Sequence, residues 1–290
     1  MTAPPRNFTR LALPLAILAV STGAPFARWA APASPIAIAA LRVLVASVLL
    51  FAVGYRELAG LRRASSRERL LVVASGLLLG LHFGSWIASL SFTSTAASVA
   101  LVCTNPIFAA LFGTLLGDRV RRREVFGIGI AGLGCAVLAG GDWSAGGDAL
   151  IGDVLALIGA ASAAAYLVVG RTLRTAVPLL PYLGCVNLIA GIGLAITAVA
   201  LGSDLTALPA HSYLACAGAA LVASLIGHSL LNAAVRKTPT HLVALAILGE
   251  PIASSLITWA VFAEQPPLYA AAGGAVVLVG IAVGFVRRSS

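Results

Sequence analysis

Ten apolar runs of about twenty residues each constrain this chain of 290 residues more than any other feature. They lie near 9–31, 35–55, 69–91, 94–117, 123–141, 150–170, 180–201, 211–235, 239–263 and 268–286. A helix of that length crosses a hydrocarbon core of roughly 30 Å. In lipid each backbone amide must be satisfied inside its own segment, so the runs predict an all-α membrane protein with ten transmembrane helices. The composition agrees, with 60% hydrophobic and 10% charged residues, where soluble domains carry about 25% charged.

The net charge of +9 would suit a nucleic-acid partner, but the placement of the basic residues argues against one. Of the nineteen Lys and Arg residues, all but Arg28 and Arg42 lie at the ends or in every second loop. The ends carry Arg6, Arg10, Arg287 and Arg288. The loops carry Arg56 to Arg69, then Arg119 to Arg123, then Arg171 and Arg174, then Arg236 and Lys237. The alternate loops hold acids instead: Asp142, Asp148, Asp153, Asp204 and Glu264. This is the positive-inside pattern, with the N- and C-termini cytoplasmic, and it makes the lipid bilayer the partner. The first run is longer than a signal-peptide core and contains Pro14 and Pro25, so it reads as a retained span. Cys103, Cys135, Cys185 and Cys216 sit in four different runs without ligand spacing, which indicates neither a disulfide nor a metal site.

A shift of 145, half of the 290 residues, lays Thr93, Thr95, Pro106, Ile107 and Leu111 on Thr238, Thr240, Pro251, Ile252 and Leu256. Asn105 falls on Glu250. The chain thus divides into halves 1–145 and 146–290 of five helices each, and an odd number makes the second half enter the membrane inverted. Each proline removes an amide hydrogen and breaks its helix, freeing the carbonyl of Val102 or Ile247. Broken helices in lipid must face protein or a watery cavity, and a matched pair of them points to a transporter's binding site.

These features resemble the drug/metabolite transporter superfamily of the EamA type. The likeness rests on Ala39-Ala40-Leu41-Arg42 in the second run, on Leu116-Gly117-Asp118-Arg119 closing the fourth, and on Gly249-Glu250-Pro251 with Ala263-Glu264 in the ninth. The fourth run more usually ends Gly-Glu in that family, so Asp118 is a departure. The resemblance implies two inverted five-helix repeats around a central cavity. Within the family the chain is most similar to bacterial exporters of aromatic amino acids, which implies amino-acid export across the cell inner membrane.

Polar residues at helical spacing mark the candidate substrate-binding positions. His82, Trp86 and Ser89 share one face of the third run, and Ser94, Ser98 and Asn105 one side of the fourth. Tyr166 lies with Ser162 on the sixth. Ser224, His228 and Asn232 form a stripe on the eighth, and Glu250, Ser254 and Thr258 recur on the ninth. A mid-membrane Glu250 must be paired, hydrated or protonated, which suits proton or cation coupling. Each also has a plainer reading as packing, capping or a helix-to-helix hydrogen bond. Arg42 lies two turns into the membrane and calls for a partner. Glycines in the fifth run (Gly127, Gly129, Gly132, Gly134) and the tenth (Gly273, Gly274, Gly280, Gly284) allow close helix approach, within one monomer or along a homodimer seam.

No paired aspartates and no His-Glu-x-x-His or Gly-x-Ser-x-Gly motif occur, so an intramembrane enzyme is disfavoured and no catalytic, cofactor or metal residues are expected. The favoured reading is an inner-membrane secondary transporter exporting amino acids, aromatic ones included, by alternating access. A multidrug or other small-metabolite carrier is the alternative.

Overall fold

The computed structural model describes residues 7–93, 95–138, 149–263, 265 and 268–285, all helical or connecting segments. Arg6, Ser94, Asp142, Asp148, Glu264, Arg287 and Arg288 lie outside them, with the expected outer loop 140–148. The first run is α1 (Asn7–Val20) and α2 (Gly23–Trp29), and the second is α3 (Pro35–Val53). A 3₁₀ turn and the short α4 (Leu58–Arg62) lead into α5 (Ser66–Ser89). The fourth run is split into α6 (Thr95–Val102) and α7 (Asn105–Leu115). Then come α8 (Arg122–Leu138), α9 (Ala149–Thr172) and α10 (Leu179–Ala200). The eighth run is α11 (Ala210–Ala219), a π-helical stretch Ala220–His228 and α12 (Ser229–Val235). The ninth is split into α13 (Thr240–Ile247) and α14 (Glu250–Phe262), and α15 (Leu268–Phe285) closes the chain.

Among the described residues, eight helical segments are long and apolar enough to cross a membrane. The fifth run falls short, because α8 has 17 residues and opens on Arg122, Arg123 and Glu124. The tenth contributes a shorter apolar stretch, Ala271–Phe285. Leu15, Leu77, Ile107, Phe126, Ile196 and Leu256 are all exposed along these rods. An apolar surface of that extent suits lipid and would be a liability in water.

Local chemistry explains where the helices begin and end. Ser34 caps α3 by accepting from the amide of Ala37 at 3.3 Å, with Pro35 pre-set for the first turn. Ser65 and Glu68 exchange backbone-to-side-chain bonds at 2.7 and 3.3 Å, a capping box for α5. At the end of α7 the amide of Asp118 returns to the carbonyl of Gly113 and that of Gly117 to Thr114, which needs the left-handed Gly117 at φ +85°. The Leu116-Gly117-Asp118 motif is therefore a helix stop. In the ninth run Pro239 is the residue preceding the helix.

The chain forms two compact units, one of residues 1–80 and 169–238, the other of 81–168 and 239–290. Each takes helices from both halves of the sequence. In the first unit α3 packs along α10. Phe51 fills the space over Gly184 and Leu44 that over Gly191, while α1 meets the π-helical stretch where Val20 abuts Gly227. Arg42 lies against Gly23 of α2, its guanidinium 3.3 Å from where a Cβ would stand. In the second unit α8 packs along α15. A Cβ at Gly127 would strike the backbone of Gly280 and Gly284, and one at Gly134 the backbone of Gly273 and Val277. Gly129 and Gly132 face open space instead. Both close pairs, α3 with α10 and α8 with α15, are helices that the 145-residue shift lays on each other.

Candidate functional site

The two breaks fall where the prolines require. Helix α6 ends at Val102 and α7 begins at Asn105, while α13 ends at Ile247 and α14 begins at Glu250. Asn105 and Glu250 are thus the opening residues of the second half-helices, each followed by the proline whose missing amide costs nothing at that position. A carboxylate at a helix start is also favoured by the helix dipole. Both gaps belong to the second unit, and Cys103 from one and Leu248 from the other sit in the same buried cluster. Beyond the gaps α7 packs on α13 through Ala109 and Ala244, with Ala164 of α9 beside them and Phe108 and Phe112 against them.

The neighbouring polar groups are only partly satisfied by the protein. Thr104 returns its hydroxyl to the carbonyl of Leu101 at 2.6 Å, and Ser255 to that of Pro251 at 2.8 Å. Asn105 is 7% exposed, yet its Oδ1 has no hydrogen-bond partner among the described residues. Leaving such a buried acceptor unmet costs about 1–3 kcal/mol. Glu250 and Ser254 are half-buried.

On α5 the expected face is real. His82 donates from Nδ1 to the carbonyl oxygen of Gly159 at 2.9 Å, since a carbonyl can only accept. Its ring lies over that of Trp86 with centroids 6.5 Å apart and planes at 7°. The Trp86 Nε1 is buried without a hydrogen-bond partner among the described residues. Ser89 and Ser98 share a hydrogen bond of 2.6 Å, so Ser98 ties α6 to α5. Thr93 donates to Asp153 at 2.9 Å, which anchors the α5–α6 hairpin to the start of α9. Tyr166 is 4% exposed on α9.

His228 and Asn232 belong to the other compact unit. The helix carrying them is π-wound from Ala220 to His228, an uncommon geometry that recurs at functional sites. Asn232 donates through Nδ2 to the carbonyl of His228 at 2.9 Å, while the buried Ser224 Oγ has no hydrogen-bond partner among the described residues. His228 is half-buried.

Three groupings escaped the sequence reading. Tyr182, fully buried, bonds Ser75 at 2.6 Å in the first unit. Cys103 and Cys135 share a buried cluster across the α6–α8 contact. His241 meets Glu124 at 3.1 Å, both in the core of the second unit. Positions 107 or 117 residues apart leave no local signal of such pairings.

Long apolar helices, two of them interrupted by proline next to an amide or a carboxylate, together with buried polar atoms that the protein leaves unmet, are the build of a membrane transport protein. The chain belongs to the EamA-like transporter family, whose model matches it twice, over residues 8–140 and 150–286. The family is one of transporters, not enzymes, and the double match makes the halves a duplication. The chain is 30% identical over 228 residues to a protein of Escherichia coli (strain K12) described as an uncharacterized inner membrane transporter, YedA, covering 77% of this chain and 72% of that one. The same values hold for its counterparts in strains O6:H1 and O157:H7. A chain of known crystal structure shares the fold, with TM-score 0.82 and 21% identity over 96% of this chain and 97% of that one.

Proposed function

We propose that the chain is an inner-membrane secondary transporter that exports small amphiphilic metabolites, amino acids with aromatic ones among them, by alternating access. Ten crossings in two inverted five-helix repeats, with both termini cytoplasmic, follow from the charge alternation. The packing of α3 on α10 and of α8 on α15, each against its own copy, supports a two-fold relation between the halves. Inner-membrane residence is supported by the description of the Escherichia coli relative.

The observation that carries the substrate reading is Asn105 with its buried, unmet Oδ1 at the start of a broken half-helix. An acceptor there and an unmet donor on Trp86 suit a ligand that brings both an ammonium and a carboxylate. The stacked His82 and Trp86 rings offer a flat apolar surface to an aromatic side chain. Glu250 serves as the group through which a proton or cation is coupled, with Ser98, Tyr166 and Ser254 as further lining. In the other unit the proposed lining is His228 with Asn232.

Purified protein in liposomes, tested for uptake and counterflow of phenylalanine, tryptophan and a panel of unrelated solutes, decides the matter. Saturable, countertransport-stimulated flux of the aromatic amino acids is expected. Flux of an unrelated solute with none of the amino acids would instead favour the multidrug or metabolite carrier.

A further inference from the structure

Glu124 and His241 are the described acid and imidazole most completely withdrawn from solvent, at 5% and 0% exposure. Glu124 stands in the first turn of α8 and His241 in the first turn of α13, so their contact ties the leading half of the second broken helix to α8. The carboxylate oxygen Oε2 accepts from the Arg121 amide at 2.7 Å and from His241 Nε2 at 3.1 Å. With Nε2 donating to the carboxylate, the other nitrogen, Nδ1, keeps a lone pair. That atom is buried and has no hydrogen-bond partner among the described residues.

We propose that the Glu124–His241 pair is a proton-binding site that links protonation to the packing of α13 on α8. This rests on the transporter reading and adds a second titrating site to Glu250. A proton taken from water adds to the Nδ1 lone pair; the imidazolium keeps its Nε2–H on Glu124, and the charge of the pair goes from −1 to zero. Packed together the two groups are dry, whereas with α13 moved off α8 both are hydrated. The two arrangements therefore bind the proton unequally, and whatever protonates the pair shifts the balance between them. Since α13 also packs on α7 and leads into the gap before Glu250, that balance reaches the broken helices.

The ionisable groups on the elements packed around the pair are few. Arg122, Arg123 and Cys135 lie on α8, with Arg121 just before it; Asp118 and Arg119 follow α7; Tyr269 stands near the start of α15; Cys103 follows α6. Cys103 and Cys135 sit in an apolar cluster with Ile128 and Val277.

The test is nitrogen-15 NMR of histidine-labelled full-length protein in lipid nanodiscs across pH, with H241N assigning one of the four histidines. The His241 signal is expected to titrate, and its midpoint is expected to move by about one pH unit or more in E124Q. In liposomes, counterflow of a transported solute should lose one limb of its pH profile in H241N and in E124Q. The double variant E124Q/H241N retains an uncharged hydrogen-bonding pair and covers the case in which a single variant does not fold. A His241 signal that does not titrate, or a midpoint unmoved in E124Q, overturns the proposal even where flux is robust. Titration with the E124Q shift but no flux of any amino acid would sustain the proton site while removing the proposed amino-acid export.

Discussion

Cys103 and Leu248, each in the two-residue gap of an interrupted helix, lie in one buried cluster with Leu245, Cys135 and Val277. The two discontinuities therefore meet inside a single packed unit, and their polar opening residues, Asn105 and Glu250, follow within two residues. An interruption in lipid is tolerated where protein covers it, and here each gap is covered by the neighbourhood of the other.

Asn105→Leu separates a binding role from a structural one. Removing a buried acceptor that has no partner is neutral or stabilising for the fold. Solubilised N105L is expected to melt at or above the wild-type temperature while its KM for a transported solute rises about tenfold, near 1.4 kcal/mol of binding. A lower melting temperature with unchanged KM would make Asn105 a structural residue.

Cys103 and Cys135 lie in one buried cluster, and all four described cysteines are free. Copper-phenanthroline is expected to join these two and to leave Cys185 and Cys216 as thiols, seen as a loss of two titratable thiols and a cross-linked peptide between α6 and α8. Cross-linking should vanish in C135S. Retention of four thiols under conditions that oxidise a surface cysteine control would contradict the contact.

Two glycines on neighbouring helices should respond oppositely to a side chain. Gly280 lies against the backbone of Ala131, so G280V forces α8 and α15 apart and is expected to destabilise by about 1–3 kcal/mol. Gly129 has nothing around its Cβ position, so G129A should be neutral or stabilise by up to about 1 kcal/mol through helix propensity. Thermal melts in detergent compare them directly. Equal destabilisation by both would place a further contact, such as a second copy of the chain, on the Gly129 face.

Asp204, in the loop between α10 and α11, accepts from the amides of Thr206 and Ala207 and from the Thr206 hydroxyl. These bonds hold its carboxyl below the ordinary value of 3.8. A lowered folded-state value means that its contribution is present at neutral pH, above the unfolded value, and is lost as pH falls through the folded value. D204N should therefore lower the melting temperature at neutral pH and flatten its decline below about pH 4. An identical acid limb in the variant would show that the turn does not depend on the charge.

The class of this protein was legible in its sequence because lipid imposes rules that act on one segment at a time. Hydrophobic length alone places a helix in a bilayer, a proline alone removes an amide, and a run of arginines alone marks a side, so the broken pair Asn105-Pro106 and Glu250-Pro251 could be read without any fold. The one-face spacing of His82 and Trp86 was equally local, and the rings do stack. The tertiary structure decided everything that depends on which helices touch. The Glu124–His241 and Cys103–Cys135 contacts join residues on different helices, and nothing in either neighbourhood announces the other. The division of the candidate residues, with His228 and Asn232 in one compact unit and the rest in the other, follows from contacts between helices that no periodicity encodes. Within the π-wound stretch, Val20 likewise packs against Gly227 where a side chain would collide, a contact set by a distant helix.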